Sequence, residues 1–286
     1  MLHKIESIEL PKIELPRLEV ERQSNDDFMR DLIEASNIVG QYLFFSAAIV
    51  PTQPLEQTEI AILIGHMVRL SKLYDSMILL IVKKRAETAM ILARSLTETV
   101  INLRYLLQHG SPDLYQKYIK ASLVYEKKYW DEIEKCEEKL PAHIVQKVQS
   151  SIQKTFDQAG FKLEDVNWKD RHWGNEYIKA QQVDLIDLYE FGFRTASHFV
   201  HGTWHDLEFH HLKKNQSGYY QPNLDYTSPT PQIVDGSTIE CLIVTGEYVS
   251  HMVGDSGIEL DNGLQKLFNW FREMIKLYEE FRVKKQ

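Results

Sequence analysis

Apolar residues recur at three- and four-residue intervals over most of this chain, which is the spacing of one helix face. Helical punctuation starts at Ser24-Asn-Asp-Asp27, a run of good N-cap residues, and the helix it opens ends before Pro51 and Pro54. A second helix is predicted from about Leu55 to Lys84 and a third from about Arg85 to His109, where Gly110 stops it. Ser111-Pro-Asp113 restarts the pattern with a capping residue followed by proline at the first helical position. Pro141 opens a fifth helix that closes near Gly160, and a sixth is expected over about 176–201. Residues 212–235 carry scattered Gly and Pro and read as loop. The β-branched stretch from Ile239 to Val253 is compatible with helix or strand. The last helix, about Leu260 to Val283, is amphipathic through Leu264, Leu267, Phe268, Phe271, Met274 and Tyr278.

Residues 1–23 break this pattern. Ile8-Glu-Leu-Pro11 is echoed by Ile13-Glu-Leu-Pro16, and each proline pushes the residue before it out of the α region. An extended N-terminal arm is expected there, laid over its own domain or, through residues 5–20, paired with a protein partner. The expected fold class is therefore all-α: a single-domain multi-helix bundle over residues 24–286, with the third helix central and the chain ends peripheral.

Composition narrows the class further. With 43% apolar and 26% charged residues the chain is an ordinary soluble globular protein, and its longest apolar runs, such as Met77–Val82, are far short of the roughly 20 residues of a membrane helix. Charged residues punctuate the first twenty positions, so no secretory signal is expected and a cytoplasmic location is. Cys136 and Cys241 stand alone, without zinc-ligand spacing. A net charge of −8 argues against broad coating of nucleic acid and leaves only a local basic site. There is no Gly-rich phosphate loop and no GxSxG elbow.

Two segments carry polar residues where an apolar helix face would be expected. In the third helix Arg94 and Glu98 stand four apart, close enough to pair. They form either a structural ion pair or the edge of a polar pocket. In Arg194-Thr-Ala-Ser-His-Phe-Val-His-Gly-Thr-Trp-His205, the residues Arg194, His198, His201 and His205 fall near one helical stripe. Imidazoles titrate near neutrality, bind metals and move protons. The His201/His205 spacing suits metal ligands, yet no glutamate is placed as in HExxH and Gly202 interrupts the run. The need of each buried polar group for a partner predicts that Glu98 lies between Arg94 and His201. Between Trp168 and Trp173, Arg171 and Trp173 either stack a base or plug the end of the bundle.

Arg94-Ser-Leu-x-Glu98 inside an apolar helix, followed by Ser197-x3-His201-Gly202, resembles an uncharacterised bacterial family of helical proteins catalogued as a domain of unknown function. The resemblance covers about residues 55–210. It implies signature positions at Arg94, Glu98, Ser197, His201 and Gly202, and a place near mobile-element or defence genes. Arg194 and His201, six residues between them, also resemble the Arg-x4–6-His motif of HEPN-type ribonucleases. That resemblance implies a helical homodimer in which His201 handles the proton or the 2′-hydroxyl and Arg194 the phosphate charge, without a metal or cofactor.

The expected function is a HEPN-like, metal-independent endoribonuclease or nucleic-acid-processing component of a bacterial defence or toxin system. Arg194, His201, Glu98 and Arg94 are the expected catalytic group. Ser197, His198, His205, Trp173 and Arg171 would bind, with RNA and a second copy as partners. The alternatives are a non-catalytic interaction or ligand-sensing module and a metal-dependent hydrolase built on His198, His201 and His205.

Overall fold

Ser24 starts the first helix as its chemistry requires. In the computed structural model, which describes residues 10–136, 140–171 and 173–285, its hydroxyl accepts from the Asp27 amide while the Asp27 carboxylate accepts from the Ser24 amide. The helices are α1 (Asn25–Ala47), α2 (Gln57–Val82), α3 (Ala86–His109), α4 (Pro112–Cys136), α5 (Ala142–Ala159), α6 (Glu176–Gln182), α7 (Thr195–His201), α8 (Trp204–Asp206), α9 (Pro231–Val253) and α10 (Ile258–Lys285). The protein is all-α apart from one short hairpin, and no helix among the described residues is long and apolar enough to cross a membrane.

The chain forms two compact units: residues 1–108 with 179–286, and residues 109–178. In the larger unit α1, α2, α9 and α10 approach one another most closely. This corrects the expected placement of α3 at the centre and of the chain end at the periphery. α10 buries Leu264, Leu267, Phe271 and Met274 in that core. α9 is buried nearly all round, through Val234, Cys241, Val244, Tyr248 and Met252, which explains its β-branched composition. Such a helix shows no polar stripe, so its sequence looks like a strand. Gly263 lets α10 approach α1, because a Cβ there would stand 2.3 Å from the Tyr42 ring.

The arm lies on its own unit over the described residues 10–23. The carbonyl of Pro11 accepts from the Tyr42 hydroxyl at 3.1 Å, and that of Pro16 from the Trp270 indole at 2.9 Å. Each half of the repeated Leu-Pro motif thus presents its proline carbonyl to one aromatic donor. Arg22, buried beside Asp31, gathers the carbonyls of Arg17, Leu18 and Val20. Residues 1–9 of the expected arm lie outside the described residues.

The smaller unit has a core of its own, Leu123, Val124, Ile152, Phe156 and Val166. Gly160, at φ 73°, closes α5 in the left-handed conformation, and the next amide bonds back to Phe156.

The sixth helix is interrupted where one continuous run over 176–201 is expected. α6 stops at Gln182, Asp184 turns left-handed at φ 55°, and residues Leu188–Arg194 wind as a π segment that leads directly into α7. Gly202, at φ 54°, ends α7. Another π segment, Leu207–His211, follows α8. The presumed loop holds the hairpin of β1 (Leu212–Lys214) and β2 (Tyr220–Pro222), and α9 begins within it at Pro231.

Asp235 on α9 is 4% exposed, and its Oδ1 has no hydrogen-bond partner among the described residues. Burial, with the Glu279 carboxylate adding to it, pushes its pKa up to about 8. An unfolded aspartate ionises near 3.9, so the folded chain holds an extra proton between about pH 4 and 8. The stability tied to this group is fully present below about pH 4 and is lost as pH rises through 8. Asp235→Asn is expected to flatten that dependence and to be more stable than wild type at pH 8.5, by on the order of 3 kcal/mol. Urea unfolding at pH 5 and 8.5 checks this; equal pH slopes for the two proteins would contradict it.

Candidate functional site

Arg94 joins two segments about a hundred residues apart. Its Nη1 donates to Glu98 Oε2 at 2.9 Å along α3, and its Nε donates to Ser197 Oγ at 3.2 Å on α7. The Ser197 hydroxyl in turn donates to the Phe193 carbonyl at 2.7 Å. The guanidinium carbon stands 4.2 Å from the centre of the Phe193 ring. The cation is thus bonded on two sides and stacked on a third. Gly192 fits here for lack of a side chain, since a Cβ would meet Leu188 Cδ1 at 3.2 Å and Thr97 Oγ1 at 3.5 Å.

The expected hydrogen bond from His201 to Glu98 is absent among the described residues. His201 is exposed in the last turn of α7, and no hydrogen bond among the described residues holds it. Ser197, one turn earlier, is the α7 residue that joins the pair, and it does so by accepting from Arg94 rather than by donating to Glu98. The physical reason is that α7 ends at Gly202 on the surface, so the imidazole remains solvated and needs no buried partner.

Arg194, His198, His201 and His205 are all exposed, but Gly202 ends α7 before His205, which sits on α8, so no single helical stripe carries all four. Glu190 accepts from Arg194 at 2.6 Å and holds its pKa above the usual value. His198 Nδ1 lies 3.0 Å from the Thr203 hydroxyl, and its ring lies 5.3 Å from that of His205. His205 packs on Phe209. No group of three His, Cys, Asp or Glu side chains among the described residues is arranged to hold a metal ion. In the same stretch of chain Phe191, Trp204 and Phe209 are 76%, 56% and 66% exposed.

Two further arrangements escape a reading of the sequence. Glu87, at the start of α3, accepts from the Thr227 amide at 2.7 Å and lies 3.9 Å from His210, which meets the Thr227 hydroxyl at 2.9 Å. Burial raises its pKa, but the bonds from Thr227 outweigh burial and hold it below the usual carboxylate range. Elsewhere Lys179, 1% exposed, donates to Asn102 Oδ1 at 2.6 Å. Burial, and then Arg69 and Lys179, bring the pKa of His66 down to about 4. Long-range pairing of this kind leaves no local spacing to detect; the only hint is a polar residue on an otherwise apolar face.

In the smaller unit Trp173 packs edge-on against Tyr118, with ring centres 4.9 Å apart, while Trp168 is exposed beneath Lys128. The side chain of Arg171 lies outside the described residues. Trp173 is therefore engaged in packing, while Trp168 is exposed with Lys128 over its ring.

Arg94, Glu98, Ser197 and His201 all lie within residues 60–219, which match the model of a family of unknown function, DUF5677. The chain belongs to this family. No curated protein and no solved structure matches it. The DUF5677 region contains α3, the π segment and α7, and so includes every contact of Arg94 described above.

The Arg94 and Glu98 side chains are 23% and 35% exposed, so this is a half-buried pair. Glu98→Ala is expected to cost about 1 kcal/mol or less, well below the figure for a buried pair broken on one side. Arg94→Ala should cost more, about 2 kcal/mol, because it also loses Ser197 and the Phe193 face. Urea unfolding orders the two variants; a costlier Glu98→Ala would contradict the geometry.

Proposed function

We propose that this DUF5677 chain is a metal-independent endoribonuclease of the HEPN-like kind, working as a homodimer in a bacterial defence or toxin system. The observation that carries the proposal is the exposure of Arg194 and His201 on one face of α7 and the residue that leads into it. Seven helical residues place them roughly 10 Å apart along the axis and nearly in line. In RNA cleavage by its own 2′-hydroxyl, His201 accepts that proton, the 2′-oxygen attacks phosphorus, and the 5′-oxygen leaves after taking up a proton. The products are a 2′,3′-cyclic phosphate and a 5′-hydroxyl end. Arg194 neutralises charge on the phosphate as it builds up.

Phe191, Trp204 and Phe209, all exposed, offer faces on which unpaired bases can stack. With a net charge of −8, capture relies on local cations such as Arg194, Lys213 and Lys214. The same aromatic surface favours a second proposal, a non-catalytic interaction module, because exposed apolar patches mark interfaces.

Single-stranded RNA incubated in EDTA with wild type, His201→Ala and Arg194→Ala separates the two. The ribonuclease predicts cleavage with EDTA present and a loss of about 100-fold or more in each variant. Both side chains are exposed, so thermal midpoints should be unchanged. Light scattering should give twice 33.5 kDa for the native protein. Equal cleavage by all three proteins, or none by the wild type, would reject the ribonuclease and leave the interaction module.

A further inference from the structure

Between α7 and the hairpin three rings form a connected row. Gly202, at φ 54°, turns the chain after α7 in a left-handed conformation that residues with a side chain rarely adopt. A Cβ there would meet nothing within 4 Å, so backbone geometry rather than space calls for the glycine. After this turn the His205 ring of α8 stands 5.3 Å from that of His198. One turn on, in the π segment Leu207–His211, the Phe209 ring follows at 4.6 Å from His205. The α7 end of the row is pinned. His198 Nδ1 lies 3.0 Å from the Thr203 hydroxyl, and the Thr203 amide donates to the His198 carbonyl at 3.3 Å. All three residues are exposed, so burial does not account for the row. Single apolar rings in solvent are ordinary, whereas a connected exposed patch marks a contact surface.

Charge selects what the row can meet. Residues 188–224 carry three carboxylates, Glu190, Asp206 and Glu208, balanced by Arg194, Lys213 and Lys214, in a chain whose net charge is −8. Each carboxylate is engaged: Glu190 with Arg194, Asp206 with His211 at 3.5 Å, and Glu208 with the Tyr220 hydroxyl at 2.7 Å. Lys213, which follows Phe209 on β1, is exposed and has no ion pair among the described residues. At the other end His198 stands one turn before His201 on α7. Open ring faces beside a cation suit unpaired bases on a phosphate chain, because the bases stack and the cation meets phosphate. Bases inside a duplex have no free face to offer. We propose that His198, His205 and Phe209 form a stacking track that seats the unpaired bases beside the phosphate handled by Arg194 and His201, so that the substrate is taken as a single strand.

The track rests on the ribonuclease reading for the phosphate that is cut, but its test reads binding alone. Fluorescence anisotropy would follow the full chain with a short single-stranded RNA methylated at every 2′-oxygen, which removes the attacking hydroxyl. Wild type should bind it at micromolar concentration or below. The same strand annealed to its complement, or stripped of its bases, should bind about tenfold more weakly or worse. Phe209→Ala should weaken binding by about tenfold with the thermal midpoint unchanged, since the ring is exposed, and Phe209→Tyr should restore it. Absence of binding at about 100 μM protein would overturn the track. So would a duplex or an abasic strand binding as well as the intact single strand, or Phe209→Ala binding like wild type. The expected binding pattern without cleavage of ordinary RNA would keep the track as a single-strand site and reject the ribonuclease. His201-dependent cleavage with Phe209→Ala binding like wild type would do the reverse.

Discussion

A half-buried guanidinium has to be compensated, and in this protein Arg94 finds its compensation across 103 residues of sequence. Glu98 supplies the charge, Ser197 an acceptor and Phe193 a π face. Two of these three partners belong to the run from Leu188 to His201. The contact therefore fixes which side of that run faces α3 and, by helical geometry, which side faces out. Arg194 and His201 are on the outer side. A structural contact and the exposed pair of the proposed chemistry are thus two consequences of a single docking.

The π segment is part of the same arrangement. Winding i to i+5 places one more residue in the turn than an α-helix would, and such turns recur at functional sites. Here the widened turn brings Gly192 against Thr97, buries Phe193 and leaves Phe191 exposed. The contacts of Glu87 with Thr227 and His210 secure the segment around the hairpin to the beginning of α3. α3 is not the most closely packed helix, but side-chain bonds tie it to α2 through Arg69, to α6 through Lys179 and to α9 through Glu247. Its polar residues serve as ties.

What could be read from the sequence follows from this division. α1, α2 and α3 were legible because each has one apolar face and good end signals, such as the Ser24 cap and the stop before Gly110. α9 was ambiguous because burial on all sides erases the periodicity that distinguishes helix from strand. The break at Asp184 carries no glycine or proline to announce it, and a left-handed aspartate is uncommon enough that the run from 176 to 201 looks continuous. The Arg94–Glu98 pair was visible in its four-residue spacing. Its third member is expected at His201 on the premise that this imidazole is buried, yet the helix is only seven residues long and His201 is exposed at its end. Ser197, small and self-effacing in sequence, carries the bond.

The central claim is that Arg94 docks the Leu188–His201 run onto α3 locally, without supporting the α1–α2–α9–α10 core. Hydrogen exchange on Arg94→Ala measures this directly. The prediction is that amides of 188–201 exchange markedly faster while those in the interiors of α1, α9 and α10 keep their wild-type protection. Unchanged exchange over 188–201, or an equal loss of protection throughout the larger unit, would contradict it.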